Sequence, residues 1–571
     1  MAGERLRLLV LLLLFTPQFG SAQVQHSNTP SRDDQADELR TLREASDWEG
    51  ILQLVPSEDG SAEHCFYRGL AFSRLRRWED ARKAFEAGGK VAPTDPRFPT
   101  ELAGALFQLK QFPEAKKSLR RALKLDANDG YTQNFLATLY LLEENLESAL
   151  KYWNLSQKPV VDQVGSSPQP RLKADLLDRA FAVAPASQLL LKDFRNTQAW
   201  LDHLEIFPSY RFELRPKPGG QFDLLFHSIE KNGWGSRADR IFALARGIPL
   251  LTAHVDLYNL KGRAINLHSW ASFDAQKRHA FSEILAPLGG RPSWRGRFYV
   301  DARKENWDLS RSYQGNAPLP GDLRLQRLAA GFELDNRVNW NWEWKGGFEL
   351  SCRDFRNLPA VSSESAGLFT QGVAVKYMAS VNKKLWSVPE RRFTVESAAG
   401  FDAGKLFRDG SQRFTKLQGS LESEWLPQAK GDDYRVTARF RGGHATGSLP
   451  FDELFIFGLE RDNDLWLRGH IATQDHKRGS GFLGQDYLLW NWEMEKRIYQ
   501  LPFLDLRLGP AVDTGRIYDK DHNFGSSVWL TDLSLLFKAR FRQNVTIIFS
   551  YGKDLQTGRN AFYVTTARGN R

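Results

Sequence analysis

Four histidines, His254, His268, His279 and His470, and a scatter of carboxylates are among the side chains with which residues 233–571 could hold a metal or move a proton. A metal site legible in sequence brings its ligands together by local spacing, such as two His four residues apart on one helix face with a Glu between. None of these histidines has such a neighbour, so no metal is expected. Gly479-Ser480-Gly481-Phe482-Leu483-Gly484 satisfies the G-x-G-x-x-G pattern of a dinucleotide loop. That chemistry requires a strand passing into a helix whose N-terminus meets the pyrophosphate. Alternating residues follow here instead, so the glycines read as loop flexibility and no cofactor is expected. No G-x-S-x-G nucleophile elbow occurs, and paired catalytic acids cannot be nominated, so the chain does not read as an enzyme.

The elements that carry these residues are of three kinds. The 571 residues include 17 Trp, 38 Phe and 15 Tyr but only three Met and two Cys, a balance that favours β-strands or rings at a membrane boundary. A negative mean hydropathy argues against a bundle of membrane helices. The formal charge of +10 is spread along the chain and predicts no nucleic-acid partner. Cys65 and Cys352 fall in different expected domains and predict no disulfide. Arg5 and Arg7, the apolar run Leu8 to Phe15 and the small residues Gly20-Ser21-Ala22 read as a secretory signal over residues 1–22. A polar, disordered leader is expected over 23–35.

A repeat follows over residues 36–160. Gly69, Phe72, Ala81 and Phe85 recur at a spacing of 34 as Ala103, Leu106, Ala115 and Leu119, and again as Ala137, Tyr140, Ala149 and Trp153. Small residues return where two helices must touch, and large ones where the space between them must be filled. With Pro93 at a helix end, this stretch resembles the tetratricopeptide repeat; a partial copy around Trp48 and Ile51 precedes it. Val164 to Pro170 reads as a turn-rich linker.

In residues 170–232 an apolar stretch around Leu176, Leu177 and Phe181 leads to a segment expected to be helical through Leu191, Phe194, Trp200 and Leu204. Two alternating runs follow, 210–214 and 222–226, joined as a hairpin through Lys217-Pro218-Gly219-Gly220. The unit resembles a single POTRA domain. From 233 to 571 period-two alternation dominates, with Val338 to Lys345 as the clearest run and others at 417–425, 434–441, 488–495 and 504–508. Apolar and polar residues alternate on opposite faces, which fits a lipid-facing exterior and a wet lumen, and strands can cross a bilayer only as a closed cylinder. At roughly 20 residues per strand with its connection, about 16 strands are expected. The first lies near Thr252 to Tyr258. The fold class is therefore a multidomain α + β chain: a helical-repeat solenoid, a small α/β module and a C-terminal antiparallel transmembrane β-barrel.

Leu449 to Gly458, Asp464 to His470, Asn491 to Glu495 and Gly509 to Arg516, in this order and spacing, resemble the end of the BamA-like bacterial surface antigen superfamily. The resemblance implies an outer-membrane barrel that inserts, assembles or translocates polypeptides, with its N-terminal domains in the periplasm. It also implies that a long loop folds into the lumen and that an Arg-Gly pair at its tip meets an acid on the wall. The matching positions are Arg468, Gly469 and Asp513, with Gly515, Gly458 and Glu493 supporting them. Gly469 would let the tip turn sharply. His470 stands where the family usually has an aromatic residue, and Arg568 to Arg571 stand where it usually ends on one. The partners implied are outer-membrane lipid and a protein client or periplasmic partner held by the repeats. Two alternatives remain: an exopolysaccharide export porin with a helical scaffold, and a non-enzymatic periplasmic scaffold.

Overall fold

The computed structural model describes residues 32–55, 60–235, 240, 247, 251–314, 323–358, 367–407, 412–501, 503–519, 522–541 and 545–568. The expected signal, most of the leader and the last three residues lie outside them. The chain divides into two compact units: residues 1–163, 185–191 and 214–223, and residues 164–184, 192–213 and 224–571.

Among the described residues, the first unit has eight helices in hairpin pairs: Arg32–Glu44 with Trp48–Leu54, Ala62–Arg74 with Trp78–Val91, Arg97–Gln108 with Phe112–Leu125, and Gly130–Leu142 with Leu146–Trp153. Helix thus begins at Arg32, inside the stretch expected to be a disordered leader. The residues recurring at 34 are the packing residues. Ala81, Ala103, Ala115, Ala137 and Ala149 are fully buried, as are Phe85 and Leu119. A Cβ on Gly69 would enter the Phe85 ring, so the first helix of that pair can approach only as glycine. The turns repeat as well. Arg76, Lys110 and Glu144, also 34 apart, are left-handed, with φ of 61°, 62° and 62°. Each is followed by an N–H that donates back to the first helix, from Arg77 to Phe72 O, Gln111 to Leu106 O and Asn145 to Tyr140 O.

Strands β1 (Val160–Ser166), β2 (Ser187–Gln188), β3 (Ser209–Pro216) and β4 (Gln221–Ile229) form a sheet in the order β2-β1-β4-β3, with helices Ala174–Ala180 and Leu191–His203 between them in sequence. Val164 to Ser166 belong to β1 and are not linker: β-branched Val160, Val161 and Val164 extend the strand into the Gly-Ser stretch.

Among the described residues of the second unit, fifteen strands of nine or more residues make the barrel: β5 (Thr252–Leu260), β6 (Ile265–Phe273), β7 (Lys277–Leu288), β8 (Arg291–Trp307), β9 (Leu323–Asn339), β10 (Trp342–Arg356), β11 (Gly372–Val388), β12 (Phe393–Phe407), β13 (Gln412–Trp425), β14 (Tyr434–Gly447), β19 (Asp486–Leu501), β20 (Leu504–Tyr518), β21 (Leu530–Phe541), β22 (Val545–Asp554) and β23 (Asn560–Arg568). Their order closes on itself, with β23 beside β5. The expected run Val338 to Lys345 is not one strand: β9 ends at Asn339, β10 starts at Trp342, and Asn341 N–H donates to Asn339 Oδ1 across the turn. Alternation alone cannot distinguish a strand from two strand ends meeting at a tight hairpin.

Along each strand one face is apolar and exposed. On β19 Leu488 and Trp490 point out while Asn491, Glu493 and Glu495 point in; on β21 Leu533 and Leu535 point out while Asp532 and Ser534 point in. At one rim, hairpin turns meet the α/β segment of the same unit. Ala264 joins a core with Leu172, Leu176, Leu201, Phe207 and Phe226. His203 Nδ1 lies 2.8 Å from Pro292 O, and Arg295 bridges Glu205 and Asp335 at 2.6 and 2.8 Å. No described helix is long and apolar enough to cross a membrane.

Candidate functional site: the inward-folded loop

Between β14 and β19 the chain makes a long excursion, residues 448–485, containing the short strands β15 (Phe455–Phe457), β16 (Thr473–Gln474), β17 (Lys477–Arg478) and β18 (Phe482–Gly484). Its apolar residues explain why it turns inward. Phe451, Phe455, Phe457, Leu465, Leu467 and Leu483 are buried against Trp307, Leu325, Tyr487, Leu489 and Ile517 of the barrel strands. Leaving such rings and branched chains in water would cost about 1.5–3 kcal/mol each.

Polar anchors then fix where the loop sits. At the tip, Arg468 is 3% exposed; its Nη1 donates to Asp513 Oδ1 at 2.5 Å, its backbone N–H to Asp513 Oδ2 at 3.0 Å, and its Nη2 to Glu493. Asn491 Nδ2 donates to the same Asp513 oxygen at 2.6 Å, and Lys538 bridges Glu493 and Glu495 at 2.6 and 2.5 Å. The planar guanidinium presents its two terminal nitrogens in a fixed fork, one to each carboxylate, a geometry an ammonium does not reproduce. Gly469, expected to let the tip turn sharply with no Cβ in the way, does not have a left-handed φ. It is needed for closeness, since a Cβ there would lie 2.6 Å from Asp554 N and 2.7 Å from the Asp532 carboxyl. Its N–H donates to Asp532 Oδ2 at 2.6 Å. Gly515 likewise makes room for the Phe457 ring at 2.8 Å, and Gly458, at φ 124°, takes a backbone conformation closed to side chains.

Near the middle of the loop, Glu460 pairs with Lys277, and Asp462 lies 3.2 Å from His279 Nδ1. Arg478 Nη1 returns hydrogen bonds to both Glu305 oxygens at 2.9 Å. At the base, Asp452 and Glu453 meet four cations of the wall: Arg327 and Arg353 reach Asp452 at 3.3 and 3.4 Å, and Lys376 and Lys416 reach Glu453 at 3.2 and 3.4 Å. The loop is therefore acidic where the wall is basic and basic where the wall is acidic.

The structure brings Arg468, Gly469, Asp513 and Glu493 together, with Gly515 and Gly458 packing the loop behind them. The sequence reading did not find Asp532, Asp554, Asp452, Glu453, Glu460 or Asp462. Nor did it foresee that donors of His279, Glu305 and Asp462, and of His470, Asp532 and Asp554, would each gather within 4.8 Å. Each set joins residues distant in sequence, so no spacing rule exposes it. In the first set Arg478 and Lys277 already supply positive charge. The glycines of the G-x-G-x-x-G stretch are packing residues and not flexible ones: Gly481 abuts Phe457 O, and a Cβ on Gly484 would enter Tyr518 O. Between the loop and strands β10–β14 a cavity of about 350 Å³ remains, bordered by Lys345, Asp402, Arg441 and Asp464.

No family model matches the chain, and no curated protein sequence does. Among solved structures the chain is similar to CdiB from Escherichia coli, at 12% identity and a TM-score of 0.46 over 72% of this chain and 75% of that one. It is also similar to CdiB from Acinetobacter baumannii, at 11% and 0.43 over 81% and 85%. A third similar structure is BamA from Haemophilus ducreyi lacking POTRA domains 1–3, at 10% and 0.42 over 72% and 84%.

Proposed function

We propose that this chain is an outer-membrane β-barrel of the BamA-like kind that inserts, assembles or translocates polypeptides. In this reading residues 1–22 are its secretory signal, 36–160 are tetratricopeptide repeats that hold a client or partner in the periplasm, and 170–232 are a POTRA-like connector. The observation that carries the reading is Arg468 on Asp513 and Glu493, because it makes the loop a tethered plug. The apolar exterior of β5–β23 supports a lipid environment, where backbone groups find partners only within a closed sheet. Barrel opening at the β23–β5 seam would offer a strand edge on which a client strand can form. Binding and electrostatic pinning suffice for this role, and no chemical step is assigned to any residue.

Purified full chain in planar bilayers tests it. The tethered plug predicts low resting conductance that rises with Arg468→Ala. Large steady conductance unaffected by that change sinks the reading in favour of the export porin, for which the cavity beside Asp402 and Lys345 would be the remaining lumen. Absence of heat-modifiable gel migration sinks both in favour of a periplasmic scaffold.

A further inference from the structure

Three aspartates stand in one row across adjacent strands. Asp513 on β20 pairs with Asp532 on β21, and Asp532 with Asp554 on β22. All point inward, at 0%, 0% and 2% exposure. Carboxylates directly opposite one another repel, and more strongly away from water. The row must be neutralised from the lumen side, and three consecutive loop residues meet it. Arg468 takes Asp513, the Gly469 N–H takes Asp532, and His470 lies across the remaining pair. His470 Nδ1 is 3.1 Å from Asp532 Oδ2, and its Nε2 is 3.5 Å from Asp554 Oδ2.

A neutral imidazole has one N–H and turns a lone pair at its other neighbour, whereas an imidazolium donates to both. The remaining bonds to Asp554 come from uncharged donors: the N–H groups of Gln556 and Thr557 and the Thr557 hydroxyl. Among the described residues His470 alone is ion-paired with Asp532 or Asp554. The groups around the ring are Asp532 from β21, Asp554 from β22, Arg468 from the loop itself, with Asp513 of β20 behind it, and the uncharged Phe482 ring of β18 with its centroid at 5.4 Å.

We propose that His470 is a second positioning residue of the plug, clamping the tip across Asp532 and Asp554 as its imidazolium, so that loss of its proton loosens the loop. The inference rests on the plug reading above. Imidazole is the side chain whose charge ordinarily changes between pH 5 and 8, so the clamp would respond to the acidity of the medium.

The test is the open probability of the full chain in planar bilayers at pH 5.5 and 8.5. A charge-assisted bond of this kind predicts about tenfold more opening for the native chain at the higher pH. His470→Gln should open often at both values and His470→Arg seldom at either. Asp554→Asn should flatten the profile even if the histidine variants fold poorly, as heat-modifiable migration reports. A pH profile that survives His470→Gln overturns the inference. So does restored closure at pH 8.5 on adding zinc to the native chain, which would make the three donors a metal site. If Arg468→Ala fails to raise opening at either pH, the plug reading itself fails; if it raises opening while the histidine and aspartate variants leave the profile unchanged, only the clamp fails.

Discussion

Arg468 and Gly552 meet backbone to backbone: the carbonyl oxygen of Arg468 occupies the space that a Cβ on Gly552 would fill. Gly552 points inward on β22 two residues before Asp554, so the wall offers the loop tip a place without a side chain beside the carboxylates that hold it. The tip is selected by shape as well as by charge.

Gly552→Ala should therefore free the tip as Arg468→Ala does, because neither colliding atom lies at the end of a flexible side chain. Bilayer conductance should rise to a similar level in both. Gly400→Ala, facing the cavity with nothing within 4 Å of its Cβ, should leave conductance unchanged.

Arg468→Lys should not restore the plug. An ammonium lacks the planar fork with which Nη1 reaches Asp513 while Nη2 reaches Glu493. Breaking a buried pair of this kind costs about 3–5 kcal/mol, so both Arg468→Ala and Arg468→Lys should lower the midpoint of the heat-modifiable transition, Arg468→Ala by more. Equal midpoints for the native chain and Arg468→Lys would contradict the two-acid grip.

Glu453→Gln should be more damaging than its isosteric shape suggests. Lys376, Lys416, Arg327 and Arg353 would keep their charges around a neutral amide, leaving mainly Asp452 and Glu349 to balance them. The loop base should loosen, read as faster hydrogen exchange over residues 448–457, while exchange at the tip changes less.

At the rim, burial pushes the Glu205 carboxyl up, but the guanidinium of Arg295 at 2.6 Å more than offsets this and holds it below the ordinary value. A depressed folded value stabilises the folded state above the unfolded value of about 4.3, and that contribution is lost as pH falls through the folded value. Protection of residues 191–215 in hydrogen exchange should thus fall on acidification below about pH 4.3. Glu205→Gln should show weaker protection at pH 7 and a smaller change on acidification.

The sequence by itself determined what is local. The spacing of 34 set the helix pairs, because a small residue must recur wherever two helices touch, and period-two alternation set which residues of β13, β14, β19 and β20 face out. Likeness to a known loop pointed to Arg468 and Asp513. What only the tertiary structure decided is which strand positions stand side by side. The row Asp513, Asp532, Asp554 exists because the β20–β21 and β21–β22 hairpins bring those residues into register, and a slip of one residue would send every side chain of a strand to the other face. Register depends on turn geometry and on burial summed over the whole barrel. For that reason the partners of His470 and the basic seat of Asp452 and Glu453 could not be read from the order of residues.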